Sequence, residues 1–288
     1  MNILVTGAYG QLGSEISSLA ADYPGVQFFF TDYDTLDITD GAGIKRFFEM
    51  TKPGMVINCA AYTAVDQAEK EPEKAAGLNA GGPGLLAGAC RDYDARLIHV
   101  STDYVFNGRS CVPYDAEFQA DPQGVYGLTK LEGENLVREI LPGAIIVRTS
   151  WLYSPFGHNF VKTMLRLGRE RASLRVVFDQ TGTPTYARDL AGAILHMVRS
   201  AEGPAGWKPG IYHYSNEGVC SWYDFAREIF DIAGVPCVVE PIRSAEYPTP
   251  AQRPSFSVLD KGKIKAAYNL AIPWWQDSLK DCIKRLHT

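Results

Sequence analysis

Residues 1–13 read MNILVTGAYGQLG, an apolar run that leads into the glycine pattern GxxGxxG and then into a helical stretch. The run Ile3–Thr6 is typical of a buried strand, and Gly7, Gly10 and Gly13 lack side chains where the chain enters the helix. Backbone N–H groups at such a turn can approach a pyrophosphate, whose charge then lies at the positive end of the helix. The alternative is a glycine turn needed only for packing. The position directly after a strand favours a dinucleotide-binding site at these three glycines.

Strand and helix patterns alternate along the first 150 residues. Short apolar runs predict parallel strands with both faces buried, and the stretches between them predict helices. Alternating units of this kind predict an α/β fold with a Rossmann-type, doubly wound parallel sheet. The predicted strands are Ile3–Thr6, Val26–Thr31, Met55–Asn58, Leu97–Ser101 and Ala144–Val147. The predicted helices are Gln11–Ala20, Gly43–Met50, Glu73–Arg91 and Val125–Ile140.

The pattern changes after residue 150. The stretch Ala245–Arg253 is too rich in proline for regular structure. We therefore predict an NAD(P)-binding domain over residues 1–150 and a smaller α+β substrate domain over residues 151–288. Further helices are predicted at 157–170, 187–200, 221–233 and 276–286, and the second of these is expected to return to the first domain.

The composition excludes several classes of protein. The chain has 288 residues, of which 46% are hydrophobic and 21% charged, with a formal net charge of −5. This hydrophobic content excludes a disordered chain, and the lack of a basic cluster argues against a nucleic-acid partner. No apolar run approaches the roughly 20 residues that span a bilayer. Since the first strand begins at once, we expect no signal peptide and a cytoplasmic protein.

Metal-binding and disulfide patterns are also missing from the sequence. The six cysteines form no CxxC pair, and the five histidines form no HExxH motif. We therefore expect scattered reduced thiols and no metal site.

Asp32 follows the second predicted strand, nineteen residues after Gly13. A carboxylate at this place can accept hydrogen bonds from the ribose of an adenosine and repels a 2′-phosphate, so the simple rule favours NAD. The alternative is a turn or helix-capping aspartate, since Asp34 and Asp37 lie close by.

Tyr126 and Lys130 lie four residues apart on one face of a predicted helix. A nearby ammonium group stabilises a phenolate and lowers its pKa, which would suit Tyr126 for proton transfer. The alternative is a surface contact.

Thr102 ends the fourth predicted strand, where ligands bind in open α/β sheets, and its hydroxyl could hydrogen-bond a substrate oxygen. A turn that only ends the strand is the alternative for Thr102.

One family carries four features in this order: the pattern GxxGxxG, an acid after the second strand, the STD turn (residues 101–103) and the YxxxK pattern formed by Tyr126 and Lys130. Together they resemble the extended short-chain dehydrogenase/reductases. Five further stretches resemble the dTDP-4-dehydrorhamnose reductase branch, and the resemblance covers nearly the whole chain. They are residues 60–69 (AAYTAVDQAE), 101–106 (STDYVF), 148–151 (RTSW), 179–185 (DQTGTPT) and 247–254 (YPTPAQRP).

The resemblance implies reduction of the C4 keto group of a 4-keto-6-deoxy nucleotide sugar. Tyr126 would protonate the C4 oxygen as hydride arrives from the nicotinamide, Lys130 would hold the ribose, and Thr102 would bind the keto oxygen. NADP(H) is the preferred cofactor, with NAD(H) possible. The implied cofactor-binding residues are Gly7, Gly10, Gln11, Leu12, Gly13, Asp32, Asp37, Ile38, Ala60, Ala61, Thr63, Tyr126 and Lys130. The implied substrate-binding residues are Thr102, Asp103, Tyr104, Trp151 and Arg253.

Two of these substrate residues have plain alternatives. An indole at Trp151 suits the apolar 6-deoxy side of a sugar, but could equally be a core residue between domains. Arg253 could pair with a diphosphate or be a solvated arginine.

The resemblance also leaves alternatives open for the assembly and the reaction. Some family members are metal-bridged dimers built on glutamates; Glu15 fits one such position, but Arg188 occupies the second, so we expect no metal requirement. A monomer or a homodimer is expected. A dehydratase is excluded because Tyr104 follows Asp103 where elimination needs a second acid. Another reductase, an epimerase, or a non-catalytic subunit resembling the methionine adenosyltransferase beta subunit stays open.

Overall fold

The computed structural model describes residues 1–201 and 206–287. The strands of the described residues are β1 (Asn2–Thr6), β2 (Gln27–Thr31), β3 (Met55–Asn58), β4 (Arg96–Thr102), β5 (Ile145–Thr149), β6 (Leu152–Tyr153), β7 (Ser173–Val177), β8 (Thr181–Gly182), β9 (Thr185–Tyr186), β10 (Gly210–His213), β11 (Cys220–Ser221) and β12 (Val238–Ile242). The helices are α1 (Gln11–Leu19), α2 (Gly41–Thr51), α3 (Val65–Ala68), α4 (Pro72–Ala76), α5 (Gly82–Asp92), α6 (Val125–Ile140), α7 (Phe160–Glu170), α8 (Ala187–Ser200), α9 (Trp222–Ala233), α10 (Gly262–Tyr268) and α11 (Trp275–His287).

The central sheet has six parallel strands in the order β10-β5-β4-β3-β1-β2. Along the chain, β2 is added on one side of β1, and β3, β4 and β5 then follow on its other side. The predicted doubly wound α/β fold is therefore confirmed. The bounds of the five predicted strands differ by at most two residues from those of β1 to β5. The sequence did not predict β10, which pairs with β5 and brings the later part of the chain back into the first sheet.

Alternate side chains of each strand enter different cores on the two faces of the sheet. Ile3 and Val5 of β1 pack with α1, α8 and α10, whereas Leu4 packs with α2 and α5 on the opposite face. All three are fully buried, and each such side chain contributes roughly 1.5–3 kcal/mol. Helix α8 lies against α1 in the core on the Ile3 and Val5 face of the sheet.

The helix predicted over Glu73–Arg91 is interrupted in the structure. A π-helical turn over Gly77–Gly81 separates α4 from α5. The turn presents Asn79 to α6, where a Cβ on Gly133 would lie only 2.0 Å from the Asn79 carbonyl oxygen. The Asn79 side chain meanwhile holds the backbone of Tyr62, accepting from its N–H at 2.9 Å and donating to its carbonyl at 3.2 Å. The π-helical turn is therefore set by close packing against α6, which the hydrophobic periodicity of the sequence does not indicate.

A second core lies among α7, α9 and α11 and the small β7–β12 sheet. The proline-rich stretch Ala245–Arg253 borders this part, and its prediction as irregular structure needs one correction. A short 3₁₀ turn covers Ser244–Glu246, because the Glu246 carboxylate accepts from the Arg243 N–H at 3.0 Å and closes the turn. None of the helices in the described residues has the length and apolar character required to cross a membrane.

Candidate active site

A cleft of about 1180 Å³ opens at the carboxyl edge of the central sheet. Its walls come from the loop after β1, the end of β2, the segments after β3, β4 and β5, and the start of α6. Every site residue suggested by the sequence lines this cleft except Gly13 and Arg253. The fold thus brings together residues from across the first 151 positions of the chain.

The glycine loop is shaped for a close approach of backbone to ligand. Gly7 has φ +66°, and a Cβ there would lie 2.6 Å from the Ala60 backbone nitrogen. A Cβ on Gly13 would lie 2.4 Å from the Gly7 carbonyl oxygen, so Gly13 serves the packing of α1 against the loop. Gly10 is the N-cap of α1 without a side-chain cap, which leaves the first N–H groups of the helix facing the cleft. The loop therefore fits a pyrophosphate.

The carboxylate of half-buried Asp32 is already engaged by the backbone. Its Oδ2 accepts from the N–H of Tyr9 in the glycine loop at 2.9 Å, and its Oδ1 accepts from the N–H of Tyr33 at 2.8 Å. Asp32 therefore tethers the loop to the end of β2. This structural role was not evident from the sequence.

Lys130 lies on α6 with its ammonium group deep in the cleft. The side chain is almost fully buried, and Nζ donates to the Val100 carbonyl at 2.7 Å. Burial lowers the pKa of Lys130 to about 8, although the negative charge of Glu134 opposes this shift. Lys130 is thus a fixed donor whose charge changes close to neutral pH.

Tyr126 stands beside Thr102 at the start of the same helix. Burial raises the pKa of the phenol, the charge of Asp103 raises it further, and hydrogen bonding with Thr102 opposes the change. The structure therefore differs from the expectation that Lys130 lowers this pKa, because the Lys130 ammonium group is directed to the Val100 carbonyl. A raised pKa keeps the phenol protonated at neutral pH, which is the form that can donate a proton.

Glu69 does not line the cleft but holds the start of α6, a role that sequence reasoning missed. Its Oε1 accepts from the Val125 N–H at 2.9 Å and so caps the helix that begins beside Tyr126. A carboxylate at a helix N-terminus is favourable for the helix dipole as well. Glu69 lies within the 60–69 stretch, which was the available signal, but its 56-residue separation from Val125 hid the contact.

Trp151 serves both the cleft and the second core. It lines the cleft, and its ring stacks on Trp222 with the ring centroids 3.6 Å apart. Its φ of +47° is unusual for a bulky residue and orients the indole into this stack. Both sequence interpretations of Trp151 are thus compatible with its position.

Arg253 does not line the cleft but is held beside it by an ion pair and by a hydrogen bond to Tyr104, which does line it. Its Nη2 lies 2.6 Å from Asp66 Oδ2, and its Nη1 donates to the Tyr104 hydroxyl at 3.1 Å. The other Asp66 oxygen accepts from the Ala251 N–H at 3.1 Å. These contacts join the 60–69 and 247–254 stretches of the chain.

The environment of Glu15 does not fit a metal ion. Its buried carboxylate accepts from Arg285 Nη1 at 2.9 Å and from the Ser154 hydroxyl at 2.8 Å, while Arg188 lies 3.6 Å away. Two guanidinium groups thus occupy the space where a cation would have to bind. Across residues 1–201 and 206–287, no cluster of three or more His, Cys, Asp or Glu side chains is arranged to hold a metal.

Comparisons with known proteins identify the family of this chain. A family model described as the RmlD substrate binding domain matches residues 1–288. The chain is 42% identical to a dTDP-4-dehydrorhamnose reductase of Aggregatibacter actinomycetemcomitans, with 97% of each chain covered. It is similar to the crystal structure of a dTDP-4-dehydrorhamnose reductase of Clostridium acetobutylicum, with a TM-score of 0.94, 43% identity and 100% of both chains covered.

A second solved structure is informative about the cofactor. The dTDP-4-dehydrorhamnose reductase of Bacillus anthracis, solved in complex with NADP, has a TM-score of 0.93 and 38% identity, with 99% of each chain covered. These three relatives are all named dTDP-4-dehydrorhamnose reductases. The chain therefore belongs to the RmlD substrate-binding-domain family.

Proposed function

We propose that this protein is an NAD(P)H-dependent oxidoreductase that reduces the C4 keto group of dTDP-4-dehydro-6-deoxy-L-mannose to give dTDP-L-rhamnose. One observation supports this most strongly: Tyr126, Lys130 and Thr102 share a single cleft with a glycine loop shaped for a pyrophosphate. The size of the cleft, about 1180 Å³, suits a dinucleotide and a nucleotide sugar together. The names of the relatives point to the same reaction.

Several residues of the cleft have distinct tasks in this proposal. The bound dinucleotide supplies the hydride. Gly10, Gln11 and Leu12 bind its pyrophosphate at the N-terminus of α1, and Lys130 holds its ribose. Thr102 orients the keto oxygen, and Tyr126 donates a proton to that oxygen as negative charge develops on it. Trp151 offers its indole to the apolar side of the sugar.

We further propose that NADP(H) is preferred and that NAD(H) is accepted. Because two backbone N–H groups already bind the Asp32 carboxylate, its capacity to bind ribose hydroxyls is reduced. The same N–H groups partly offset its negative charge, which weakens the repulsion of a 2′-phosphate. The relative from Bacillus anthracis was solved with NADP. A cytoplasmic location and a monomeric or homodimeric state stay predictions from the sequence.

The direct test is to incubate the protein with dTDP-4-dehydro-6-deoxy-L-mannose and to follow NADPH and NADH oxidation in separate assays. We expect consumption of NADPH in proportion to the dTDP-L-rhamnose formed, and the same rate after dialysis against EDTA. A purified protein that retains bound NAD and equilibrates epimers without net oxidation would instead be an epimerase. A protein that binds dinucleotide but consumes none with this substrate would contradict the proposal.

A further inference from the structure

The Trp151 indole is covered on one face by a second aromatic ring. It lies nearly parallel to the Trp222 ring, with an interplanar angle of 10° and the ring centroids 3.6 Å apart. Trp222 packs in turn against Phe160 at the start of α7, with the ring centroids 4.6 Å apart. Since Trp151 lines the cleft and Trp222 does not, the opposite face of the indole is the one left for a ligand.

A glycine limits the same indole at its edge. A Cβ on Gly182 would lie 2.7 Å from both Cε2 and Cζ2 of Trp151, and 2.6 Å from the Ser257 Oγ. These distances are too short for a real Cβ, so a side chain at position 182 would displace the indole or the Ser257 hydroxyl. The lack of a side chain at Gly182 therefore allows the indole to lie directly against β8.

The backbone joins these two supports of the indole. Gly182 of β8 pairs with Cys220 of β11, and β11 leads directly into α9, whose first residue is Trp222. A capping box fixes the start of α9: the Ser221 hydroxyl accepts from the Asp224 N–H at 3.1 Å, and the Asp224 carboxylate accepts from the Ser221 N–H at 2.9 Å. Strand pairing and helix capping thus set where Trp222 lies relative to Gly182.

The backbone of Trp151 is held as firmly as its ring. The Trp151 carbonyl accepts from the Thr185 N–H at 3.1 Å, and the hydroxyl of the preceding residue, Ser150, donates to the Thr183 carbonyl at 2.8 Å. The left-handed φ of Trp151 is a conformation that persists only where the surrounding structure enforces it, frequently at functional sites. The contacts of both backbone and ring therefore point to an indole that must keep one position.

We propose that Trp222 and Gly182 are positioning residues that hold the Trp151 indole as a rigid apolar wall for C6 of the sugar, and so select a 6-deoxy nucleotide sugar over one with a hydroxyl on C6. This inference rests on the proposed function, in which the indole meets the apolar side of the sugar. A hydroxyl pressed against a fixed apolar surface loses its hydrogen bonds with water and gains none. An indole free to move would admit water at C6 and lose this discrimination.

The test compares the affinities of the protein, saturated with NADP⁺, for dTDP-L-rhamnose, dTDP-L-mannose and dTDP, measured by calorimetric titration. The two sugar nucleotides differ only by the hydroxyl on C6. We expect the wild type to prefer dTDP-L-rhamnose by about 10–100-fold, as apolar pockets do against an added hydroxyl. Trp222→Leu removes the stacked ring, and Gly182→Ala displaces the indole. Each should reduce the preference by about tenfold and leave the affinity for dTDP unchanged.

Matched variants separate positioning from general damage, and thermal unfolding checks that each one folds. Trp222→Phe keeps a ring against the indole and should keep most of the preference. Trp274→Leu removes another half-exposed indole, and Gly192→Ala adds a Cβ with nothing within 4 Å, so both should match the wild type. A wild-type preference in folded Trp222→Leu or Gly182→Ala would overturn the inference. A wild type that discriminates between the sugars but reduces no keto sugar would instead overturn the proposed function.

Discussion

At the scale of single residues, the proposed reaction depends most on Tyr126. Replacing Tyr126 by Phe removes the phenolic proton and leaves the ring in its packing against Tyr104, whose centroid lies 5.4 Å away. Because general acid catalysis contributes about 10²–10⁴-fold, we expect kcat to fall by that factor while NADPH binding is kept. Steady-state kinetics and fluorescence titration with NADPH measure the two effects. A variant within twofold of the wild-type kcat would refute the assignment.

Asp32 controls the choice of cofactor in this account. Asp32→Asn removes a negative charge near the 2′ position, and the amide oxygen still accepts from one backbone N–H of the loop. A charge about 4 Å away in water is worth about 1 kcal/mol, so the ratio of kcat/KM for NADPH to that for NADH should rise about fivefold. Asp34→Asn, on the exposed turn beside it, serves as the control. A ratio that shifts toward NADH would contradict this role of Asp32.

Residue spacing predicts contacts only within one element or one recurring motif. Tyr126 and Lys130 were found because a helix places residues four apart on one face. The Asp66–Arg253 pair joins residues 187 positions apart, so no local pattern indicates it. The tether from Asp32 to the Tyr9 N–H was equally hidden, since a backbone donor has no sequence signature.

At the scale of elements, the packing of α6 against the π turn before α5 fixes the site. Gly133→Ala would place a Cβ 2.0 Å from the Asn79 carbonyl, so α6 or the turn must shift. Such overpacking costs about 1–3 kcal/mol, and we expect a lower Tm together with reduced kcat. Gly88→Ala in α5 meets nothing within 4 Å and is the matched control. It should raise stability by about 0.5–1 kcal/mol through helix propensity.

Equal destabilisation by these two glycine substitutions would contradict the packing argument. The sequence predicted one continuous helix over Glu73–Arg91, because periodicity reports the buried face on both sides of the π turn. It could not predict the turn itself, since the cause is a backbone approach between Gly133 and Asn79. The strand β10 was missed because its sequence, GIYH, has only two adjacent apolar side chains and lacks the apolar run that marks the equally short β3.

At the scale of the whole molecule, buried histidines should make the fold sensitive to acid. Burial lowers the pKa of His213 from 6.5 to about 3, and the pKa of buried His99 is also lowered. The unfolded chain therefore binds more protons than the folded one below pH 6.5, and stability is lost as pH falls. The contribution of His213 should decrease by about 2 kcal/mol between pH 7.5 and pH 5.

Denaturant unfolding at several pH values measures this loss of stability. The fall in the free energy of unfolding between pH 7.5 and pH 5 is the acid limb of this pH dependence. His213→Asn keeps a donor for the Tyr114 carbonyl, which lies 3.0 Å from His213 Nδ1, and should flatten the acid limb. The exposed His158 provides the control, since His158→Asn should leave the limb unchanged. An identical limb in all three proteins would show that His213 is not the source.

The central claim is hydride transfer from the dinucleotide to C4 of the sugar, and isotope transfer tests it most directly. The protein is incubated with dTDP-4-dehydro-6-deoxy-L-mannose and NADPH deuterated at the transferred position, and the product is analysed by NMR and mass spectrometry. The account requires one deuterium per product molecule, located at C4 of dTDP-L-rhamnose. Product without deuterium at C4, or label at another carbon, would contradict it.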